Sequence, residues 1–141
     1  MNDSNAPKGD RNWKLILGLF ALGNLAIGVW MLVDPIHWYH NLPANVPATG
    51  PPNEHFIRDV GCVFAIMGFA LGIATVRPAY RMATMIGVTA WYVAHGLVHV
   101  LDTARGLLPP EQWLVDLPGV YGPALLVIGV TIALRRSQHG P

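Results

Sequence analysis

Charge is what this chain has least of. Asp, Glu, Lys and Arg make up 12% of its 141 residues, about half the share of an ordinary soluble domain. A soluble chain of this length could enclose a core, but its surface would need many more charged side chains. An excess of one sign is missing too. The formal net charge is +1, so no nucleic-acid partner is expected. The single cysteine, Cys62, cannot close an intramolecular disulfide, so it leaves the redox compartment unread. No alternating strand pattern and no strong internal repeat is visible.

What is present is apolar: 52% of the residues, gathered in blocks of about 20, the length that crosses a bilayer as a helix. The chain therefore reads as an all-α integral membrane protein. Its four transmembrane helices, expected over residues 13–33, 53–76, 82–101 and 118–134, form an up-down bundle. Residues 1–11 read as a flexible polar tail, 12–136 as one membrane domain and 137–141 as a second tail. Lys8, Arg11 and Lys14 ahead of the first apolar run also fit a secretory signal. The run is longer than a signal core and no small-x-small cleavage pattern follows, so a retained helix is expected. Asn24 lies within that helix, where its amide needs a partner on a neighbour.

Asp34-Pro35 ends the first helix, because the residue before proline avoids the helical region. Residues 34–52 then form a loop with His37, Trp38, Tyr39, His40 and five prolines. Its aromatics belong at headgroup level, and its length allows it to fold back over the bundle. His37 and His40 read as interfacial polar residues rather than site residues. Asn53 is placed to cap the second helix, with Glu54 in its first turn. Gly61, Ala65, Gly68 and Gly72 form a small-residue ladder that permits close helix packing. Arg77-Pro78-Ala79-Tyr80-Arg81 is a short turn, so the second and third helices are antiparallel neighbours. Pro109-Pro110-Glu111 opens a short interfacial helix carrying Trp113, and Pro123 is placed to kink the fourth span.

Basic residues alternate between the ends of the spans. Lys8, Arg11, Lys14, Arg77, Arg81, Arg135 and Arg136 share one end, which the positive-inside rule makes cytoplasmic, together with both termini. The other end is then periplasmic in a bacterial inner membrane. It gathers His37, His40, His55, Asp59, His95, His99 and Asp102. Residues three or four apart share a helix face. His55 and Asp59 therefore align on the second helix, and His95, His99 and Asp102 on the third. Ionisable groups within membrane helices are functional candidates by default.

Three readings of this cluster follow. In the first, His55, Asp59, His95 and His99 bind a transition metal such as copper, zinc or iron, supported by Arg58 and by Asp102 as the orienting partner of His99. A bis-His haem between His55 and His95 or His99 is a variant of it. In the second, the same residues act as general acid and base on a lipid-like substrate, with Arg58 holding an anionic group. In the third, the polar groups satisfy one another in an accessory subunit of a larger membrane complex or homo-oligomer.

The motifs Asn53-x-His55-Phe56-Ile57-Arg58-Asp59-Val60-Gly61 and His95-x-x-x-His99-x-x-Asp102 resemble those of a group of small bacterial four-helix membrane proteins, loosely DoxX-like. Asp34-Pro35-x-x-Trp38-Tyr39 and Pro47-x-Thr49-Gly50 match the same pattern, and the resemblance covers residues 13–102. It implies the four-helix architecture and a bacterial inner-membrane setting. The chemistry is left open.

Overall fold

A computed structural model describes residues 8–138, which form helices and turns with no strand among them. In chain order these are α1 (Lys8–Val33), α2 (Pro35–Asn41), α3 (Glu54–Val76), α4 (Arg81–Ala104), α5 (Gln112–Asp116) and α6 (Gly122–Gln138). Single 3-10 turns occupy Val46–Thr49 and Pro78–Tyr80, and a π-helical turn at Leu117–Tyr121 joins α5 to α6. Four stretches are long and apolar enough to cross a bilayer: Gly9–Val33, Glu54–Val76, Pro78–Ala104 and Gln112–Gln138. Leu15, Leu19, Leu22, Ile66, Phe69, Leu125 and Leu126 all point outward and are exposed. An outer surface of this kind suits hydrocarbon rather than water. The chain has the architecture of a multi-pass membrane protein.

Two of the helix limits differ from the expected ones for physical reasons. Residues 8–11, expected in the tail, already belong to α1, where Asp10 is tied down by Lys14 and Arg81. The fourth crossing begins at Gln112 rather than 118. Pro118 was expected to mark its start, but the π turn absorbs the proline and lets α5 run on into α6. Gly122 makes this turn possible, because a Cβ there would lie 2.8 Å from the carbonyl oxygen of Leu117. The tail residues 1–7 and 139–141 lie outside the described residues, while 137 and 138 are helical.

The bundle is built from two antiparallel pairs. α1 and α3 approach most closely, through glycine. A Cβ on Gly68 would lie 2.8 Å from the backbone nitrogen of Leu25 and 2.9 Å from the oxygen of Ala21. Gly28 and Gly61 face each other in the same seam. The expected ladder is therefore used as far as Gly68, whereas Gly72 looks into open space. Such contact is how helices associate where lipid removes the hydrophobic drive between them. α4 pairs with α6, and the hydroxyls of Thr89 and Thr131 meet at 2.8 Å between them. Phe64 of α3 packs edge-on against Trp91 and Tyr92 of α4. Leu17, Leu71, Met85 and Val127, one from each crossing, fill the common centre without exposure. The Asn24 amide finds its neighbour in Tyr92, whose hydroxyl donates to Asn24 Oδ1 at 3.3 Å.

One end of the bundle is fixed by Arg81. Its buried guanidinium donates to Asp10 Oδ1 at 2.7 Å and to the carbonyls of Ala74 and Thr75 at 3.2 and 3.3 Å. The start of α1, the end of α3 and the start of α4 are thereby held at one point. At the other end the 34–53 segment folds back, as its length allowed. Asp34 caps α2 by accepting from the backbone of His37, and the Tyr39 hydroxyl donates to the Gly50 carbonyl at 2.6 Å. Tyr39 joins Met31 and Ile57 in a small second core. Asn53 caps α3 as expected, accepting from the backbone nitrogen of Phe56.

Three substitutions test this packing by thermal unfolding in detergent. Gly68→Ala should destabilise by about 1–3 kcal/mol, because neither contacting backbone can retreat, whereas Gly72→Ala should be near neutral. Arg81→Gln should lower the melting midpoint by about 5 °C or more through loss of the three-helix junction.

Candidate functional site

α4 turns His95, Gly96, His99 and Thr103 toward α5, α6 and the π turn. The side chains of Val120 and Tyr121 pack over Gly96, 4.0 Å from where a Cβ there would sit. One turn further along, His99 Nδ1 lies 2.8 Å from Asp116 Oδ2, and the carboxylate has no exposure at all. The other oxygen of Asp116 accepts from Gln112 Nε2 at 2.8 Å. Gln112 and Asp116 stand one turn apart on α5 and face inward together, while Trp113 and Leu114 between them are exposed. Gln112 Nε2 also reaches the Ala44 carbonyl at 3.2 Å, which ties the folded-back loop to this end of the bundle. The result is a buried polar chain running from the loop through Gln112 and Asp116 to His99.

The electrostatic logic is direct. An isolated carboxylate in so apolar a place is costly unless donors surround it. An ionised Asp116 only accepts, which calls for the Nδ1–H tautomer of His99 and leaves Nε2 outside this bond. The His95 ring sits edge-on to His99, with centroids 4.7 Å apart, and stacks parallel to Trp91 at 6.1 Å. Five buried polar atoms have no partner among the described residues: Trp91 Nε1, whose ring stacks on His95, the Tyr121 and Thr103 hydroxyls, Gln112 Oε1, and Trp38 Nε1 in the second core. Unused hydrogen-bonding capacity of this kind marks a place that a polar ligand or water can occupy.

The expected site residues are divided by the structure. His95 and His99 stand together on the inner side of α4. His55 and Asp59 face away from the bundle on α3, where they contact each other at 3.4 Å with side chains 89% and 59% exposed. Arg58 pairs with Glu54 on the same outer side, at 3.0 Å. Asp102 was expected to orient His99, but Asp116 makes that bond instead, and Asp102 records no side-chain bond among the described residues. No group of three or more His, Cys, Asp or Glu residues there is arranged to hold a metal ion. His37 is taken by Trp30, whose indole donates to it at 2.9 Å, and His40 lies edge-on to Tyr39. Both therefore stand apart from the buried chain.

Asp116 and Gln112 are not among the residues the sequence singles out, since their stretch reads as a short interfacial helix carrying Trp113. The available signal was the run Gln112-Trp113-Leu114-Val115-Asp116, in which two polar residues one turn apart flank three apolar ones. On a helix this places both polar groups on one face.

No protein-family model, no curated protein and no solved structure matches the chain.

Proposed function

We propose that this chain is a small multi-pass inner-membrane protein in which His99, held by Asp116, exchanges protons with a lipid-like ligand. The observation that carries the reading is the 2.8 Å bond between His99 Nδ1 and a carboxylate with no solvent exposure. A buried carboxylate on Nδ1 fixes the ring and its tautomer and stabilises the imidazolium that forms when Nε2 takes up a proton. Gln112 keeps the carboxylate aligned, as a general base needs. The Trp91 indole, stacked on His95, and the Tyr121 hydroxyl are donors left unpartnered among the described residues. Such a site acts by moving a proton, as in an isomerase, cyclase or lyase.

The setting follows from the distribution of charge. Arg77, Arg81, Arg135 and Arg136 lie at the end opposite the site, which supports cytoplasmic termini and a periplasm-facing His99. The resemblance to small DoxX-like bacterial proteins supports the same membrane. A transition metal is the second reading. It is favoured by the closeness of the His95 and His99 rings and by the carboxylate behind His99, an arrangement that metal-binding histidines also use. Copper, zinc or iron would then take Nε2 of His99 with His95. His55 and Asp59 would not join this site without a rearrangement of α3.

The test compares lipid extracts of membranes carrying wild type, His99→Gln, Asp116→Asn or the outward-facing pair His55→Ala and Asp59→Asn. Conversion of a lipid-soluble species should fall by about 10²-fold or more in the first two variants and persist in the third. Identical extracts from wild type and folded His99→Gln would contradict the acid–base reading. Stoichiometric metal in the purified protein, lost in His95→Ala and His99→Gln, would favour the second reading instead.

A further inference from the structure

A second feature lies at the opposite end of the bundle, between the start of α4 and the end of α6. A cavity of about 240 Å³ opens there, lined by Met82, Ile86, Thr131, Arg135 and Gln138. Met82 and Ile86 belong to α4, and Thr131, Arg135 and Gln138 to α6. The Thr131 hydroxyl is already satisfied by Thr89 and by the Val127 carbonyl, so the inner part of the groove presents mainly apolar surface. Arg135 and Gln138 form its polar rim, nearest the helix end.

The charge at this end is one-sided. The acidic group among its described residues is Asp10, which is taken by Lys14 at 3.0 Å and by Arg81 at 2.7 Å. Arg77, Arg135 and Arg136 form no ion pair among the described residues. A guanidinium presents several donors in a plane that suits phosphate oxygens. An apolar slot between two membrane helices, with Arg135 unpaired among the described residues at its mouth, complements a molecule that is apolar along its length and anionic at its head.

We propose that the α4–α6 groove binds one anionic phospholipid, its phosphate on Arg135 and the upper part of an acyl chain against Met82 and Ile86. Gln138 offers an amide to the same headgroup, and Arg136, on a different face of α6, contributes only general attraction. The site is independent of the His99 chemistry, since the two lie at opposite ends of the bundle.

Native mass spectrometry of the detergent-solubilised protein, titrated with phosphatidylglycerol or phosphatidylcholine, tests this directly. Wild type should retain one phosphatidylglycerol in preference to phosphatidylcholine. Arg135→Gln should reduce that preference about fivefold, and Arg136→Gln should reduce it much less. Ile86→Trp, which fills the groove without changing charge, should reduce retention to a similar degree as Arg135→Gln. Excess inorganic phosphate should not displace the lipid. Equal retention of both lipids, equal loss in Arg135→Gln and Arg136→Gln, or unchanged binding in Ile86→Trp would each overturn the proposal. Displacement by inorganic phosphate would overturn it too, showing an anion site in place of a lipid site.

Discussion

A carboxylate cannot sit without solvent in the interior of an apolar bundle unless donors reach it, and Asp116 imposes that condition on its whole end of the molecule. Two donors answer it, His99 from α4 and Gln112 from its own helix, each at 2.8 Å. Gln112 in turn reaches the Ala44 carbonyl and so holds the loop against the same end. The π turn at Leu117–Tyr121 follows at once, accommodating Pro118 and bringing Val120 and Tyr121 over Gly96. π turns within helices often occur where side chains must be re-aimed for a task. Loop, short helix, π turn and histidine thus form one connected arrangement around one buried charge.

The two ends of the bundle handle charge in different ways. Arg81 at one end is buried but answered by Asp10 and two helix-terminal carbonyls. It is a fastening for three helices, and every donor it uses finds an acceptor. At the other end the pairing is incomplete. Gln112 Oε1, the Tyr121 hydroxyl and the Trp91 indole are buried and unpartnered among the described residues. Left unmade, such bonds cost about 1–3 kcal/mol each, so a network meant only to fasten helices would be expected to close them as Arg81 does. This contrast supports the proposal of proton exchange at His99, while Arg81 acts as a fastening.

Much of the fold is legible in the sequence because hydropathy and terminal signals act locally. The four apolar runs, the stop at Asp34-Pro35, the cap at Asn53 and the turn at Arg77–Arg81 all depend on neighbouring residues. The candidate site was legible only in part. Periodicity correctly places His95 and His99 on one face of α4, and His55 with Asp59 on one face of α3. It does not say which face turns inward. Gly61 decides that for α3, because it must meet α1, and Asp59 two residues earlier lies about 200° around the helix. The small-residue ladder and the His55–Asp59 face were both visible, yet they compete for orientation, and close packing prevails. The partner of His99 was harder to read. Asp116 lies 17 residues away across a chain reversal, on a stretch that reads as a short interfacial helix separate from the fourth span.

The central claim is that Asp116 holds His99 as a single tautomer with Nε2 left open. Nitrogen-15 spectroscopy of the imidazole rings in detergent-solubilised protein measures this most directly, with Asp116→Asn as the comparison. The account predicts that wild-type His99 carries its proton on Nδ1 in a strong hydrogen bond, and that this signature is lost in Asp116→Asn while exposed His55 is unchanged. A His99 that exchanges between tautomers as His55 does, or that is indifferent to Asp116→Asn, would contradict it.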